Sequence, residues 1–174
     1  MRLEAAFDPQ PRLIGELVEL RPLRAEDYDA LYAVASDPLI WELHPDERWR
    51  EDVFRDFFAQ HLATGGALVI LDRADGRVIG TSRYHGYDPE KSEVEIGWTF
   101  LARSHWGGAV NGRVKRLMLE HAFLSVECVV FFVALDNLRS RRAVEKLGAT
   151  LVGSRRRTPD APERVVYELR RPSA

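Results

Sequence analysis

The chain has 174 residues, of which 45% are hydrophobic and 30% are charged, and its formal charge is −2. This composition indicates one globular domain, and the near-neutral charge gives no indication of a nucleic-acid or membrane-surface partner. No apolar run reaches the roughly 18 residues that a membrane span needs, and no apolar signal segment follows residues 1–4. We therefore expect a cytoplasmic protein.

The first half of the chain predicts a strand, two helices and three further strands. Residues 1–15 contain Pro9 and Pro11 and are expected to be irregular. Alternating apolar residues predict strands, apolar residues three and four apart predict helices, and Asp75-Gly76 predicts a hairpin turn. The predicted elements are strand 17–23, helix 28–35, helix 54–62, strand 67–71, strand 77–87 and strand 92–100.

The second half contains the most informative segment, residues 100–148. A glycine-rich turn at 106–111 opens a helix whose apolar face includes Val114 and Met118, and an apolar strand follows at 129–135. A helix entered through small residues leaves backbone N–H groups free for a phosphate, although a tight strand-to-helix connection has the same pattern. No Gly-Lys-Ser/Thr follows the turn, so it is not a P-loop, and the dinucleotide fingerprint is absent.

The remaining elements complete a mixed sheet covered by helices. A helix begins near Asn137 and stops at Gly148, and two short strands, 150–157 and 164–169, form a final hairpin. No linker or internal repeat divides the chain, so one domain covers 1–174. Cys128 is the only cysteine and is expected to be a buried, inert thiol, and the five histidines lack close ligand spacing, so no metal is expected.

Three motifs in this half resemble the GNAT acetyltransferase superfamily. They are Trp-Gly-x-x-Val-Asn, Lys-x-x-Met-Leu-x-His-Ala-Phe and Asn-x-x-Ser-x-x-Ala-x-Glu-Lys-Leu-Gly-Ala. The likeness extends over 18–169 and is greatest to the RimJ/RimL-type branch, which contains ribosomal-protein N-terminal acetyltransferases. It implies an α+β, αβα-layered fold with a mixed, mostly antiparallel central sheet of about seven strands, flanked by about four helices.

The resemblance implies acetyl-CoA as cosubstrate. The pantetheine arm would pair with the backbone of the last residues of the fourth predicted strand, the pyrophosphate would lie on the turn, and Arg142 would contact outer phosphates, with Arg103 and Arg141 as further candidates. The implied cofactor residues are Thr99, Phe100, Leu101, Trp106, Gly107, Gly108, Ala109, Val110, Asn111, Asn137 and Arg142.

Two positions depart from the family pattern. Ala109 stands where the family usually has glycine, so the turn must keep a negative φ there or be strained. Val144 stands where many members have a tyrosine that protonates the leaving thiolate, and valine cannot do so. Ser140 is the acid that the resemblance suggests instead, and helix capping is its alternative role.

Acetyl transfer to an amine needs a base, and Glu93 and Glu95 are the candidates. Two residues apart on a strand, they share one face, which could also be an ordinary exposed polar face. Glu95 is nearer the cofactor end and matches the general-base glutamate of many family members. A glutamate serves more easily for an α-amine, pKa about 7.7–8.0, than for a lysine, pKa about 10.4.

The acceptor residues are predicted on two segments, with Trp41 and His44 on the loop before the second helix and Arg83 and Tyr84 on the third predicted strand. Core packing of Trp41 and solvation of His44 are the alternatives. The expected activity is acetylation of a primary amine, with a protein N-terminus as one acceptor class and small amines or antibiotics as another. A non-catalytic acyl-CoA-binding module remains an alternative, RNA binding by the arginine-rich 155–157 and 170–171 is not expected, and the final hairpin could support a homodimer.

Overall fold

Residues 6–173 are described by a computed structural model, which contains eight strands and four α-helices. The elements are β1 Leu13–Ile14, β2 Val18–Pro22, α1 Tyr28–Ala35, α2 Glu51–Ala63, β3 Ala67–Asp72, β4 Val78–Asp88, β5 Glu93–Leu101, α3 Val110–Ala122, β6 Cys128–Val133, α4 Leu138–Lys146, β7 Thr150–Arg155 and β8 Arg164–Arg170. Short 3-10 helices lie at Ala25–Asp27, Pro38–Trp41 and Arg103–His105.

The eight strands form one sheet in the order β1-β2-β3-β4-β5-β6-β8-β7, in which every pair except β5–β6 is antiparallel. This confirms the predicted α+β fold. The extra strand, β1, has two residues and pairs with β2 inside the segment 1–15 that was expected to be irregular. Residues 1–5 of that segment lie outside the described residues. The prediction that no secretory signal begins there concerns the same residues.

Helices cover both faces of the sheet and divide the core. One face packs against α3 and α4 through residues such as Met118 and Val144, and the other packs against α1 and α2 through residues such as Leu31 and Phe54. The apolar residues of each helix, which recur with the helical period, therefore lie on the side that packs against the sheet. Between residues 6 and 173, no helix combines the length and the apolar character that crossing a bilayer would require.

The strands β5 and β6 separate partway along the sheet. They pair only at Glu93↔Cys128, Val94↔Val129 and Glu95↔Val130. Beyond Glu95, β5 pairs only with β4 on its other side, and β6 pairs only with β8. The edge of β5 over residues 96–101 is therefore free to receive an extended group, and Glu95 lies where the gap opens.

A bulge in β5 lies beside this gap. Trp98 has a φ of 53°, which is uncommon for a bulky residue, and the register with β4 shifts between Thr81 and Arg83. A bulge places an extra residue on one strand and redirects the side chains around it. As a result Thr99 faces Ser82, whereas Phe100 joins the core under α1 and α2.

Candidate active site

The turn between β5 and α3 leaves backbone donors free. Gly107 takes the left-handed conformation, with a φ of 73°, and Ala109 caps α3 with φ −81° and ψ −12°. Ala109 therefore keeps a negative φ and is not strained by replacing glycine. The first amide of this segment with a partner among the described residues belongs to Arg113, which donates to the Ala109 carbonyl at 2.9 Å. The amides of 107–112 can therefore meet an anion at the positive end of α3.

Trp106 connects this turn to its surroundings. Its indole Nε1 donates to the Leu101 carbonyl at 2.9 Å, and the Arg139 guanidinium lies 4.1 Å from the ring centroid. Trp106 also packs against the cores on both faces of the sheet. It thus fastens the end of β5 to the beginning of the turn, and its contact with a cofactor stays a prediction.

At the other side of the gap, α4 begins with Asn137. The Asn137 side-chain oxygen accepts a hydrogen bond from the Ser140 amide at 3.2 Å, which is helix capping by Asn137 and not by Ser140. Ser140 is half-buried in the first turn of α4, and its hydroxyl makes no hydrogen bond with the described residues. Val144 is buried in the core, and Arg142 is exposed. The hydroxyl of Ser140 is therefore available for another partner.

Glu95 is a buried carboxylate. Only 5% of the residue is exposed, and both of its oxygens accept hydrogen bonds from Arg157, with Nη2 to Oε2 at 2.6 Å. Burial raises the pKa of Glu95, and the hydrogen bonds and charge of Arg157 act in the opposite direction. A Cβ atom at Gly97 would lie 3.1 Å from Glu95 Oε2, so the absence of a side chain at Gly97 leaves room for the Glu95 carboxylate.

Glu93 shares this face of β5 with Glu95, as predicted, since the intervening Val94 and the following Ile96 lie in the opposite core. Glu93 is half-buried and lies 4.0 Å from Arg155. Its carboxylate, the Cys128 thiol and the Glu168 carboxylate place ligand atoms within 4.8 Å of one another. Burial raises the pKa of Cys128 to about 11, so its thiol is protonated at neutral pH.

The structure places Tyr84, a predicted acceptor residue, on the face of the sheet opposite Glu95. Tyr84 is 2% exposed, and its hydroxyl donates to the Met118 carbonyl at 2.5 Å under α3. Successive residues of a strand point to opposite faces, so Tyr84 is separated by the sheet from Arg83 and Glu95. Trp41 is also in a core, where its indole donates to the Ala35 carbonyl at 2.8 Å. Contact between Trp41 and an acceptor stays a prediction.

Arg83 and His44 lie on the face of Glu95. Arg83 is 7% exposed, and its guanidinium stacks 3.4 Å from the centroid of the Trp98 ring. The Arg83 side chain makes no hydrogen bond with the described residues, and its Nε is completely buried. His44 is half-buried against Trp41, and burial, assisted by the charge of Arg48, lowers the pKa of His44 to about 4. His44 is therefore neutral at physiological pH.

Several site residues were not singled out from the sequence. Arg157 lies 62 residues after Glu95, in an arginine run that carries no local signal of a buried partner. Arg48 approaches the ring of Phe57 at 4.2 Å on the same side of the sheet. Lys115 is a buried residue of α3. Burial lowers its pKa to about 7, and it donates to Thr99 Oγ1, which lies 2.8 Å from Ser82 Oγ. A lysine at a helix position that faces the core is the one signal that could have identified Lys115.

Comparison with known protein families identifies the family to which this chain belongs. The family model described as an acetyltransferase (GNAT) domain matches residues 18–150. The chain belongs to the GNAT acetyltransferase family. It is accordingly an acetyl-CoA-dependent N-acetyltransferase. Since acetyl-CoA bears a pyrophosphate and an extended amide arm, the free amides of 107–112 and the free edge of β5 fit it.

Three solved structures illustrate the relationship. A T. thermophilus protein described as an acetyltransferase is 32% identical, with a TM-score of 0.74, and the alignment covers 91% of this chain and 88% of that one. Mycobacterium smegmatis RimJ, solved with CoA-disulfide, is 18% identical with a TM-score of 0.72 and coverage of 95% and 90%. A Vibrio cholerae protein described as a ribosomal-protein-serine acetyltransferase is 11% identical, with a TM-score of 0.76 and coverage of 95% and 100%. No curated protein matched.

Proposed function

We propose that this enzyme transfers the acetyl group of acetyl-CoA directly to a primary amine, with Glu95 as the general base. The observation that carries the proposal is the place of Glu95. It is the last residue of β5 that pairs with β6, so its carboxylate lies where the free edge of β5 begins. An amine that reaches a thioester held along that edge would come within the range of this carboxylate.

Acetyl-CoA supplies an activated acyl group whose thiolate leaves when the amine attacks. The proposed residues of the chain hold it in two ways. The amides of 107–112 donate to the pyrophosphate, and the backbone of 99–101 pairs with the pantetheine arm. Asn137 and Arg142 lie on α4, at the opposite side of the gap, and are the proposed contacts for the amide arm and an outer phosphate.

The proton that leaves the amine is proposed to go to Glu95. Because burial raises the pKa of this carboxylate, it is a stronger base than an exposed glutamate. The hydrogen bonds and charge of Arg157 favour its ionised form, and it can accept the proton at an oxygen that has a second lone pair. This base suits an α-amine better than a lysine, and a protein N-terminal α-amine, as in the RimJ/RimL type, is the proposed acceptor class alongside small α-amines.

The thiolate acid is proposed to be Ser140, because Val144 cannot donate a proton and the Ser140 hydroxyl has no partner among the described residues. The Ser140→Ala variant should lower kcat and leave the Kd for acetyl-CoA unchanged. An unchanged kcat would discard this role, and the thiolate would then leave without an acid.

A second candidate, an acyl-CoA-binding module without turnover, is favoured by one contact. Arg157 donates to both oxygens of Glu95, so the carboxylate is already paired. Glu95 can act as a base only if one of these oxygens can also accept from the amine. The two candidates differ in thiol release, because a binding module would retain acetyl-CoA with every amine present.

The test is calorimetric titration with acetyl-CoA, followed by thiol release with a panel of amines and N-terminal peptides. The Glu95→Gln variant should bind acetyl-CoA as the wild type does and lose most thiol release. Glu93→Gln is its matched control, because Glu93 shares the face but is partly exposed near Arg155. Equal loss in both variants, or none in either, would exclude Glu95 as the base.

A further inference from the structure

Positive charge is concentrated around Glu95. Arg48 precedes α2, Arg83 is on β4, Arg157 follows β7 and Arg164 begins β8, so four separate segments contribute. The acidic groups among them are Glu95, which Arg157 occupies, and Asp46, which meets Arg48 at 3.2 Å from a side chain that is 54% exposed. The cluster therefore carries more positive than negative charge on the acceptor side of the sheet.

Two members of this cluster, Arg83 and the half-buried Arg164, have no side-chain hydrogen bond or ion pair with the described residues, and of these two Arg83 is the buried one. Its side chain is buried on the face of Glu95, stacks 3.4 Å from the Trp98 ring, and makes no hydrogen bond with those residues. The ring attracts the cation but accepts none of its five N–H donors in the ordinary sense. Leaving a buried donor unsatisfied is costly, and more so for a charged group. An anionic ligand that accepts from these donors would remove that cost.

The neighbours of Arg83 hold its side chain in a fixed position. His61 is fully buried nearby, and its Nε2 donates to Thr81 Oγ1 at 2.8 Å, because that hydroxyl itself donates to the Leu68 carbonyl at 2.6 Å. His61 Nδ1 has no partner among the described residues. The Trp98 ring fixes the guanidinium plane, and a fixed guanidinium matches a carboxylate with two parallel hydrogen bonds.

We propose that the acceptor is an amine that carries a carboxylate a few bonds from its nitrogen, and that Arg83 binds this carboxylate. The inference rests on the proposed function and names its substrate class. A free amino acid would supply the carboxylate from its own α-carboxyl group, and a peptide would supply it from an acidic side chain near its N-terminus. Cationic polyamines are excluded as good acceptors by the same positive charge.

The charge also assists the reaction. The acceptor amine must lose its ammonium proton before it attacks, and neighbouring positive charge disfavours the ammonium form. An amine without an anionic group would be repelled by Arg83 and Arg157, whereas a carboxylate bound by Arg83 holds the nitrogen near Glu95 in spite of them. The positive charge therefore selects an acceptor that carries a carboxylate and favours the loss of the proton from its ammonium group.

The test is steady-state thiol release with matched acceptor pairs, after acetyl-CoA binding has been verified by calorimetry. The pairs are the standard amino acids against their α-amides, and Asp-Ala and Glu-Ala amides against Asn-Ala and Gln-Ala amides. We expect kcat/KM to be at least tenfold higher for the carboxylate member of one set, and the set that shows the difference identifies the source of the carboxylate.

The Arg83→Gln variant should raise KM for that carboxylate acceptor about tenfold or more, since a bidentate charged contact is worth more than one factor of ten. It should not lower kcat/KM for the matched amide, because it removes a charge that repels this acceptor. Arg83→Lys, which keeps the charge but not the planar fork, should restore part of the affinity and shows whether the site still folds. Arg55→Gln removes an exposed arginine of α2 and should match the wild type.

The outcomes separate the two proposals. Thiol release with neutral or cationic amines that equals or exceeds release with their carboxylate partners would overturn the inference and leave the proposed function intact. An equal loss for acid and amide in Arg83→Gln would also overturn it. If acetyl-CoA binds and no acceptor of any class releases thiol, the proposed function fails, and this inference fails with it.

Discussion

The Gly107→Ala substitution tests the cofactor turn. Gly107 has a φ of 73°, and a Cβ atom there would meet nothing within 4 Å, so the change adds backbone strain without a clash. An L-residue in this left-handed conformation costs about 1–2 kcal/mol. No hydrogen bond with the described residues holds the Gly107 amide. We therefore expect the variant turn to relax in the free protein and to recover the strained conformation only when it binds acetyl-CoA.

The strain should then appear in the binding constant. At about 1.4 kcal/mol for each factor of ten, 1–2 kcal/mol corresponds to a Kd for acetyl-CoA that is roughly 5- to 30-fold higher. Gly76→Ala is the matched control. Gly76 has a φ of 75° and open space around it, but its turn is held by hydrogen bonds from its amide to Asp72 and from Asp72 to Arg77. There the strain cannot relax, so stability should fall by about 1–2 kcal/mol.

Calorimetric titration with acetyl-CoA and urea denaturation of both variants measure the two effects. We expect weaker binding with little change in stability for Gly107→Ala, and lower stability with unchanged binding for Gly76→Ala. An unchanged Kd in Gly107→Ala would refute the reasoning that this conformation presents the amides of 107–112 to the pyrophosphate. An equal rise in Kd for both variants would refute it too.

Three further changes probe the buried polar groups. Gly97→Ala places a Cβ atom 3.1 Å from Glu95 Oε2, so kcat should fall about tenfold with the Kd for acetyl-CoA unchanged. The pKa of His61 is lowered to about 3 in the folded state from 6.5, so unfolding binds a proton and stability should fall by about 3 kcal/mol from pH 7 to pH 4.5. The pKa of Lys115 is lowered to about 7 from 10.5, so stability should rise by about 1.4 kcal/mol per pH unit between these values.

Each of these has its own control. His61→Gln, which keeps a donor for Thr81, should lose most of the acid sensitivity, and an unchanged acid limb in urea denaturation would exclude His61 as its source. Lys115→Met should be flat where the wild type rises between pH 7 and 10.5, and a parallel pH dependence of the two proteins would show that Lys115 is charged in the fold. A loss of acetyl-CoA affinity in Gly97→Ala would mean that Gly97 serves the cofactor and not Glu95.

The elements of this fold were largely predictable from local sequence patterns. The α3 and α4 helices and β6 were predicted because their apolar residues recur with the period of the element or run continuously. β1 was not predicted, because two residues are too few to show alternation and the strand is defined only by its pairing with β2. The departure at Ala109 was resolved by its neighbour, since Gly107 takes the positive φ and Ala109 does not need it.

The site was predictable only where its residues are close in sequence. Glu95 and the turn at 106–111 lie within one strand–turn–helix segment, so spacing placed them together. Arg157 reaches Glu95 from 62 residues away, and no local pattern carries that contact. Tyr84 was predicted together with its neighbour Arg83, but successive residues of β4 point to opposite faces, so only Arg83 lies on the face of Glu95.

The central claim is that Glu95 accepts the proton of the acceptor amine during transfer from acetyl-CoA. The most direct measurement is the pH profile of kcat/KM for thiol release in the wild type and in Glu95→Gln, with acetyl-CoA binding measured for both. The wild-type rate should rise with pH through a pKa above the ordinary 4.5 of glutamate, because burial raises it. Glu95→Gln should bind acetyl-CoA equally, fall about 10²- to 10⁴-fold in rate, and lose that rise. A variant that keeps the wild-type rate and profile would contradict the claim.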